Sequence, residues 1–291
     1  MATKFEKPGA KGLAIILFVS FFTLDSLLIE PYALKTTHSE FDLFDEGGIA
    51  DDDGNDSAGN RDGAIRIVFI SDMHIGLQRD GYLGEVVRAV NAQEPDLILI
   101  GGDSIEASEA ELDKLEPLRN LSAAHGAYAI LGNHDYGIWG CAANPALSDK
   151  VEAKLESLGI DVLRNENRTL DVRGGRFAII GLDDAWSCRN DYASASAGLD
   201  DALPKIIFTH NQAGVDASEI KGRGLILSGH THCGQIRLPI ITGLLLGPGF
   251  GRTVGGYERL NNDTEAYVTC GVTSGTVRFL SNPEISVIEI E

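Results

Sequence analysis

The sequence predicts an α/β domain in which a parallel sheet carries the chemistry and a second sheet packs on it. Three observations lead there. Apolar runs at 65–70, 96–100 and 127–131 are five or six residues long, too short for helices and suited to buried strands. Between them the apolar residues take helical spacing, as in Tyr82, Leu83, Val86, Val87 and Val90. Each run then ends in polar residues: Ser71-Asp72-Met73-His74, Gly101-Gly102-Asp103 and Gly132-Asn133-His134-Asp135. Strands alternating with helices make a parallel sheet, and such sheets keep their sites at the strand carboxyl ends.

Taken in order, the chain begins with an N-terminal segment, 1–37. Lys4, Lys7 and Lys11 face one acid, Glu6, and residues 13–24 carry no charge. Asp25 interrupts the run and Leu27-Leu28-Ile29 resume it. As a helix, 13–29 spans roughly 25 Å, on the short side for a bilayer core of about 30 Å. The expected form is a signal anchor with its basic end cytoplasmic and the catalytic domain on the extracytoplasmic (periplasmic) side. Two alternatives stay open: a cleaved signal, although no clear small-x-small site follows the core, and an amphipathic or core helix, which Asp25 favours.

Residues 38–63 form the expected acidic, disordered linker. Nine acids stand there against Arg61 alone, with glycine, asparagine and serine between them. The acidic run at 51–62 lacks the terminal glutamate and ligand spacing of a calcium loop.

The globular domain is expected over 64–291. A helix over 109–121 should be kinked or split by Pro117, and 145–158 reads as another, with Leu147, Val151, Leu155 and Leu158 on one face. Short strands follow at 170–173 and 177–180 around a Gly174-Gly175 turn. Then come 204–209, ending in His210, and 224–228, ending in Gly229-His230-Thr231-His232. Segments 266–270, 277–280 and 284–290 complete the expected second sheet.

Composition narrows the function. The chain has 291 residues, 24 basic and 43 acidic, for a net charge of −19. That argues against a nucleic-acid partner and against attraction to anionic lipid. A phosphate substrate remains compatible where bound cations supply local positive charge. Cys141, Cys188, Cys233 and Cys270 contain no CxxC pair, so a zinc finger is not expected. Free buried thiols are the default; export would permit one or two disulfides.

Five of the seven histidines stand at predicted strand ends, together with Asp72, Asp103, Asn133 and Asp135. Asp72-x-His74 and His230-x-His232 place two donors on one side of an extended segment. Imidazole, carboxylate and one amide oxygen without thiolate suit manganese, iron, zinc or nickel. Seven donors (Asp72, His74, Asp103, Asn133, His210, His230 and His232) exceed one ion's needs and divide into two sites sharing a carboxylate. Two such divalent ions can activate a bridging hydroxide and stabilise the entering and leaving oxygens of phosphoryl transfer.

The blocks Asp72-Met73-His74, Gly102-Asp103, Gly132-Asn133-His134-Asp135, His210 and Gly229-His230-Thr231-His232 resemble, in order, those of the calcineurin-like metallophosphoesterase superfamily. The resemblance covers about 65–291. It implies a four-layer αββα sandwich of two mixed β-sheets flanked by helices, here preceded by the hydrophobic N-terminal helix. It also implies a metal-dependent hydrolase of phosphodiesters or pyrophosphates. Asp72, His74 and His232 would hold one ion, Asn133, His210 and His230 the other, and Asp103 would bridge. His134 would act on the phosphoryl or leaving oxygen, with Asp135 orienting its ring.

Ile29-Glu30-Pro31-Tyr32 and Gly229-His230-Thr231-His232-Cys233-Gly234-Gln235 are similar to the bacterial YkuE/YaeI-like branch, from which this chain departs at Cys233, where the branch usually has glycine. A thiol there could tune or compete for the metal, or be a small side chain tolerated in a turn. Members or relatives of the branch hydrolyse the pyrophosphate of UDP-2,3-diacylglucosamine in lipid A synthesis, and others are general phosphodiesterases. The apolar stretch 238–250 is either a lipid-facing lip or a core-packed connection, and Cys141 with Cys188 is the first disulfide to expect. The rival expectations are a non-catalytic metal-bound scaffold of this fold, a nuclease or a protein phosphatase. Oligomeric state is left open.

Overall fold

Residues 9–44, 64–137, 140–238, 241–242 and 253–291 are described by the structure, a computed structural model. Ile65–Ile70 (β2), Leu97–Ile100 (β3) and Ala127–Ala129 (β4) pair in parallel, as their unbroken apolar runs require. Ile160–Val162 (β5) extends this sheet beyond β4. Glu284–Ile290 (β12) joins it beside β2, antiparallel, and Lys35–Phe41 (β1) closes the edge in parallel with β12. The second sheet is formed by Glu166–Val172 (β6), Gly175–Gly181 (β7), Lys205–Phe208 (β8), Gly224–Ser228 (β9), Gly256–Arg259 (β10) and Thr264–Val268 (β11). Its central strands β7, β8, β9 and β11 are parallel.

The period-two alternation divides the core. Ile67, Phe69, Leu97 and Leu99 face the second sheet and meet Phe177, Ile179, Phe208 and Leu227 there. Their neighbours Val68, Ile70, Ile98 and Ile100 face outward. They are covered by Tyr82–Asn91 (α2), Pro145–Ser157 (α3) and the 310 segment Glu109–Asn120. On the far side Ile180, Ile207 and Ile226 lie under Ala195, Ile220 and Tyr192, where the short Tyr192–Ala195 (α4) is the one α-helix among the described residues. The result is a four-layer αββα sandwich with a thin fourth layer.

Several expectations change. The linker predicted over 38–63 starts later, because 38–41 belong to β1; its backbone pairs residue for residue with β12 although its side chains are polar. Residues 45–63 lie outside the described residues. β12 belongs to the first sheet, not the second. The expected strand at 277–280 makes only an isolated bridge, Phe279 to Ile236. Pro117 lies within a continuous 310 segment, whose tight turns are capped by Ser108 and Glu111.

Ala10–Leu24 (α1) continues through a wider-wound turn, Asp25–Ile29, and a 310 turn, Glu30–Tyr32. The rod over 11–32 contains an 18-residue window with a mean hydropathy of 2.3 and is long and apolar enough to cross a membrane. Leu17, Phe18, Phe21 and Leu28 are exposed on it, which removes the core-helix alternative.

The free-thiol expectation is overturned. Cys141 bonds to Cys188 and Cys233 to Cys270. The second pair follows from topology: β9 and β11 are neighbours, and each cysteine lies just past the end of one of them. Cys233 is therefore no thiol beside the metal loop.

The Cys141–Cys188 bond closes a separation of 47 residues. Replacing both cysteines by serine should cost about 4 kcal/mol of unfolding free energy by loop-closure entropy, read as a lower urea midpoint with a steeper slope, because the uncrosslinked denatured chain exposes more surface.

Candidate metal centre

The loops that follow β2, β3 and β4 meet those that follow β8 and β9 at one end of the sandwich. Chain direction alone delivers Asp72, His74, Asp103, Asn133, His210, His230 and His232 to this end. The local backbone is not extended, as the alternate-residue spacing suggested. Asp72, His74, Asp103, His230 and His232 all have φ between 42° and 68°, in the left-handed region. Side chains seldom adopt it, and its concentration here marks a functional cluster. Hydrogen bonds hold it, from Asp72 N to Gly102 O (3.0 Å) and from His74 N to Asp103 O (2.9 Å). Gly102 (φ 88°) must be glycine because a Cβ there would strike the Gly132 backbone.

Two groups of donors result. Asp72, His74 and His232 form one, and Asp103, His210 and His230 the other, each with donor atoms within 4.8 Å of one another. Asp103 joins them: its Oδ2 lies 3.4 Å from His74 Nε2 and 3.1 Å from His210 Nε2. Asn133 is buried, and neither amide atom has a hydrogen-bond partner. Such an orphaned amide costs free energy unless something coordinates it. His210 Nδ1 donates to Gly101 O at 2.8 Å, leaving Nε2 to face inward as a ligand. The donor set and the orphaned amide fit divalent cations.

The charges are strongly coupled. Burial opposes a proton on His210, but the Asp103 carboxylate outweighs it and raises the pKa to about 10. Burial would likewise raise Asp103, yet His210 holds that carboxylate well below the usual range. Burial and then His210 push His230 down to about 3. Asp72 is raised, chiefly by burial.

Asp135 does not orient His134. Its Oδ1 accepts from Ser104 N (2.9 Å) and Ile105 N (3.2 Å), and its Oδ2 from Gly132 N (2.9 Å). All of its reach is spent tying the β3 and β4 loops together. The His134 ring is held by Glu106 instead, with Nδ1 donating to the Glu106 carbonyl at 2.7 Å. The Glu106 carboxylate also meets His74 Nδ1 at 2.7 Å. Sequence reasoning missed Glu106; its only signal was an acid three residues beyond Asp103. It also missed Trp186, whose ring packs edge-on against His230 at 4.2 Å.

Residues 65–234 match the model of the calcineurin-like phosphoesterase family. The chain belongs to that family. This metallophosphoesterase is 33% identical over 239 residues to the uncharacterized metallophosphoesterase YkuE of Bacillus subtilis, covering 78% of this chain and 79% of that one. It is 28% identical over 235 residues to the phosphodiesterase YaeI of Escherichia coli, covering 78% and 82%. A bovine transmembrane protein with metallophosphoesterase domain is 30% identical over 228 residues, covering 72% of this chain and 48% of that protein. The family establishes a metal-dependent phosphoester hydrolase.

Because His210 keeps a proton up to about pH 10 in the metal-free protein, loading must release it. Manganese titration calorimetry at pH 7 in buffers of different ionisation enthalpy should therefore give different apparent enthalpies. Affinity should fall about tenfold per unit as pH drops. Gly229→Ala should also weaken loading, since the new Cβ would strike the Asp72 carboxylate and the buried Ser71 side chain.

Proposed function

We propose a two-metal phosphohydrolase that cleaves a phosphodiester or pyrophosphate, attached to the membrane by its N-terminal helix. Asp72, His74 and His232 would hold one ion, and Asn133, His210 and His230 the other, with Asp103 shared. The observation that carries this is Asp103 Oδ2 lying between His74 and His210, one from each group. Bound divalent cations would supply Lewis-acid charge and an acidified water at neutral pH.

The chain's own residues do the rest. His134 N donates to Asp103 Oδ1 at 2.9 Å, fixing that carboxylate. With Nδ1 committed to a carbonyl, His134 presents Nε2, from a partly exposed ring, to the phosphoryl or leaving oxygen. Glu106 sets the ring angle, and Asp135 braces the backbone beneath it. Two disulfides suit an oxidising compartment, which supports an extracytoplasmic domain with the basic N-terminal end cytoplasmic. The apolar helix favours a lipid-linked substrate, with UDP-2,3-diacylglucosamine among those to test beside simple diesters. The net charge of −19 disfavours nucleic acid.

A non-catalytic scaffold would not need His134 on this site. Metal-loaded protein should turn over bis-p-nitrophenyl phosphate and lose that activity on chelation. His134→Ala should lower kcat by about 10²- to 10⁴-fold with metal content unchanged. Undiminished turnover in that variant would refute the role given to His134.

A further inference from the structure

We propose that the mouth of the metal centre is seated on the lipid bilayer, so that its substrate is an amphipathic phosphoester taken from the membrane surface. The inference rests on the hydrolase reading for the reaction and on separate observations for the seat.

The apolar helix does not end in a free tether. Its last turns are bonded into the domain at 278–281. Arg278 N donates to Ser26 O at 2.9 Å, and the Phe22 and Phe279 rings pack with centroids 4.7 Å apart. The buried Glu30 carboxylate accepts from Leu280 N at 2.8 Å and from Ser281 N. The same segment holds the metal loop. Ser281 Oγ donates to the carbonyl of His232 at 2.6 Å, and Phe279 exchanges 2.8 Å backbone bonds with Gln235 and Arg237. Two hydrogen-bonded steps therefore connect the helix to a metal-ligand candidate. Removal of the helix as a leader would strip the acceptor from Leu280 N and Ser281 N, two backbone donors beside that loop.

Around this junction the surface is apolar where water should favour polar groups. Leu77, Leu238, Ile241, Val277 and Leu280 are between 38% and 57% exposed. Leu77 follows His74, to whose carbonyl its N–H donates at 2.8 Å, and its own carbonyl abuts Gly275. Leu280 is exposed and sits at φ 54°, an unfavourable conformation for a leucine. A cluster of large apolar side chains on one rim marks a contact surface.

The occupant is set by continuity. The rim adjoins the last turns of the apolar helix through Leu280, whose N–H bonds Glu30, and the turns before Phe22 expose Leu13, Ile16, Leu17 and Phe18, side chains suited to a bilayer core. A soluble partner would leave that helix uncovered, whereas a bilayer takes both. With a net charge of −19, the contact works by apolar insertion rather than by attraction to headgroups. A phosphoester lying at headgroup depth would then reach His74 and His232 without leaving the membrane.

The test uses the full chain reconstituted in phosphatidylcholine vesicles. All four native cysteines are in disulfides, so Leu280→Cys and Ile241→Cys can each be labelled singly with a small fluorophore. Brominated lipids should quench both labels at shallow depth. They should leave a label at Asp171→Cys, in the β6–β7 hairpin at the opposite end of the sheet, unquenched. Absence of quenching at 241 and 280 overturns the seat. In parallel, Leu238→Ser with Leu280→Asn should slow hydrolysis of a vesicle-embedded p-nitrophenyl lipid phosphodiester at least fivefold, and change soluble bis-p-nitrophenyl phosphate turnover less than twofold. Equal losses on both substrates, or none on the lipid, also overturn it. If the wild-type protein hydrolyses neither substrate, the hydrolase reading fails, while quenching still decides the seat.

Discussion

The Asp103 carboxylate is shared in three directions. One oxygen accepts the His134 backbone N–H at 2.9 Å, and the other lies between His74 and His210. This sharing demands that β3 end between β2 and β4, and that the second sheet deliver His210 opposite it. His210 Nδ1 donating to Gly101 O, two residues before Asp103, is the hydrogen bond that joins the sheets at that point. The sandwich is in this sense a device for meeting one carboxylate from two sides.

The same convergence creates an electrostatic problem that the protein alone solves poorly. Asp72 and Asp103 are both buried, and each raises the other's cost of ionisation. A proton on His210 compensates part of that charge. His230 and His232, beside other potential cations, stay neutral. Neutral imidazoles, buried carboxylates and an unpaired amide describe a cavity prepared for positive charge from outside the chain.

Much of this was legible in the sequence because it depends on residue type and order. Histidines and aspartates at the ends of short apolar runs point to one end of a parallel sheet without any coordinates. Other features depend on backbone geometry that residue type does not record. Asp135 looked like a partner for the adjacent His134 but bonds three backbone amides, since the 310 turn at Asn133–Tyr136 turns its carboxylate toward the β3 loop. Glu106 acts on His134 through its carbonyl, which every residue possesses. β12 returns from the chain's far end to a place beside β2, and β1 carries almost no apolar pattern, so only pairing reveals either one. The Cys233–Cys270 bond was likewise hidden behind the adjacency of β9 and β11.

Five metal-ligand candidates in the left-handed region carry a conformational cost of roughly 1–3 kcal/mol each. Together that is comparable to the whole stability of an ordinary domain, about 5–15 kcal/mol. Such loops stay in place only where their surroundings leave no alternative. Around His232 the bracing is dense. Cys233, itself at φ 53°, is bonded to Cys270, and Ser281 holds the His232 carbonyl. Arg278, fully buried, ties the Cys270 and Ser281 carbonyls together through Nη1 at 3.1 and 2.9 Å. Phe22, Ser26 and Glu30 of the N-terminal helix clamp the same segment from outside. The apolar helix thus belongs to the scaffold of the metal loop as well as to its attachment. A perturbation of the helix end should be felt at His232 sooner than at His210, whose loop is braced by the opposite sheet.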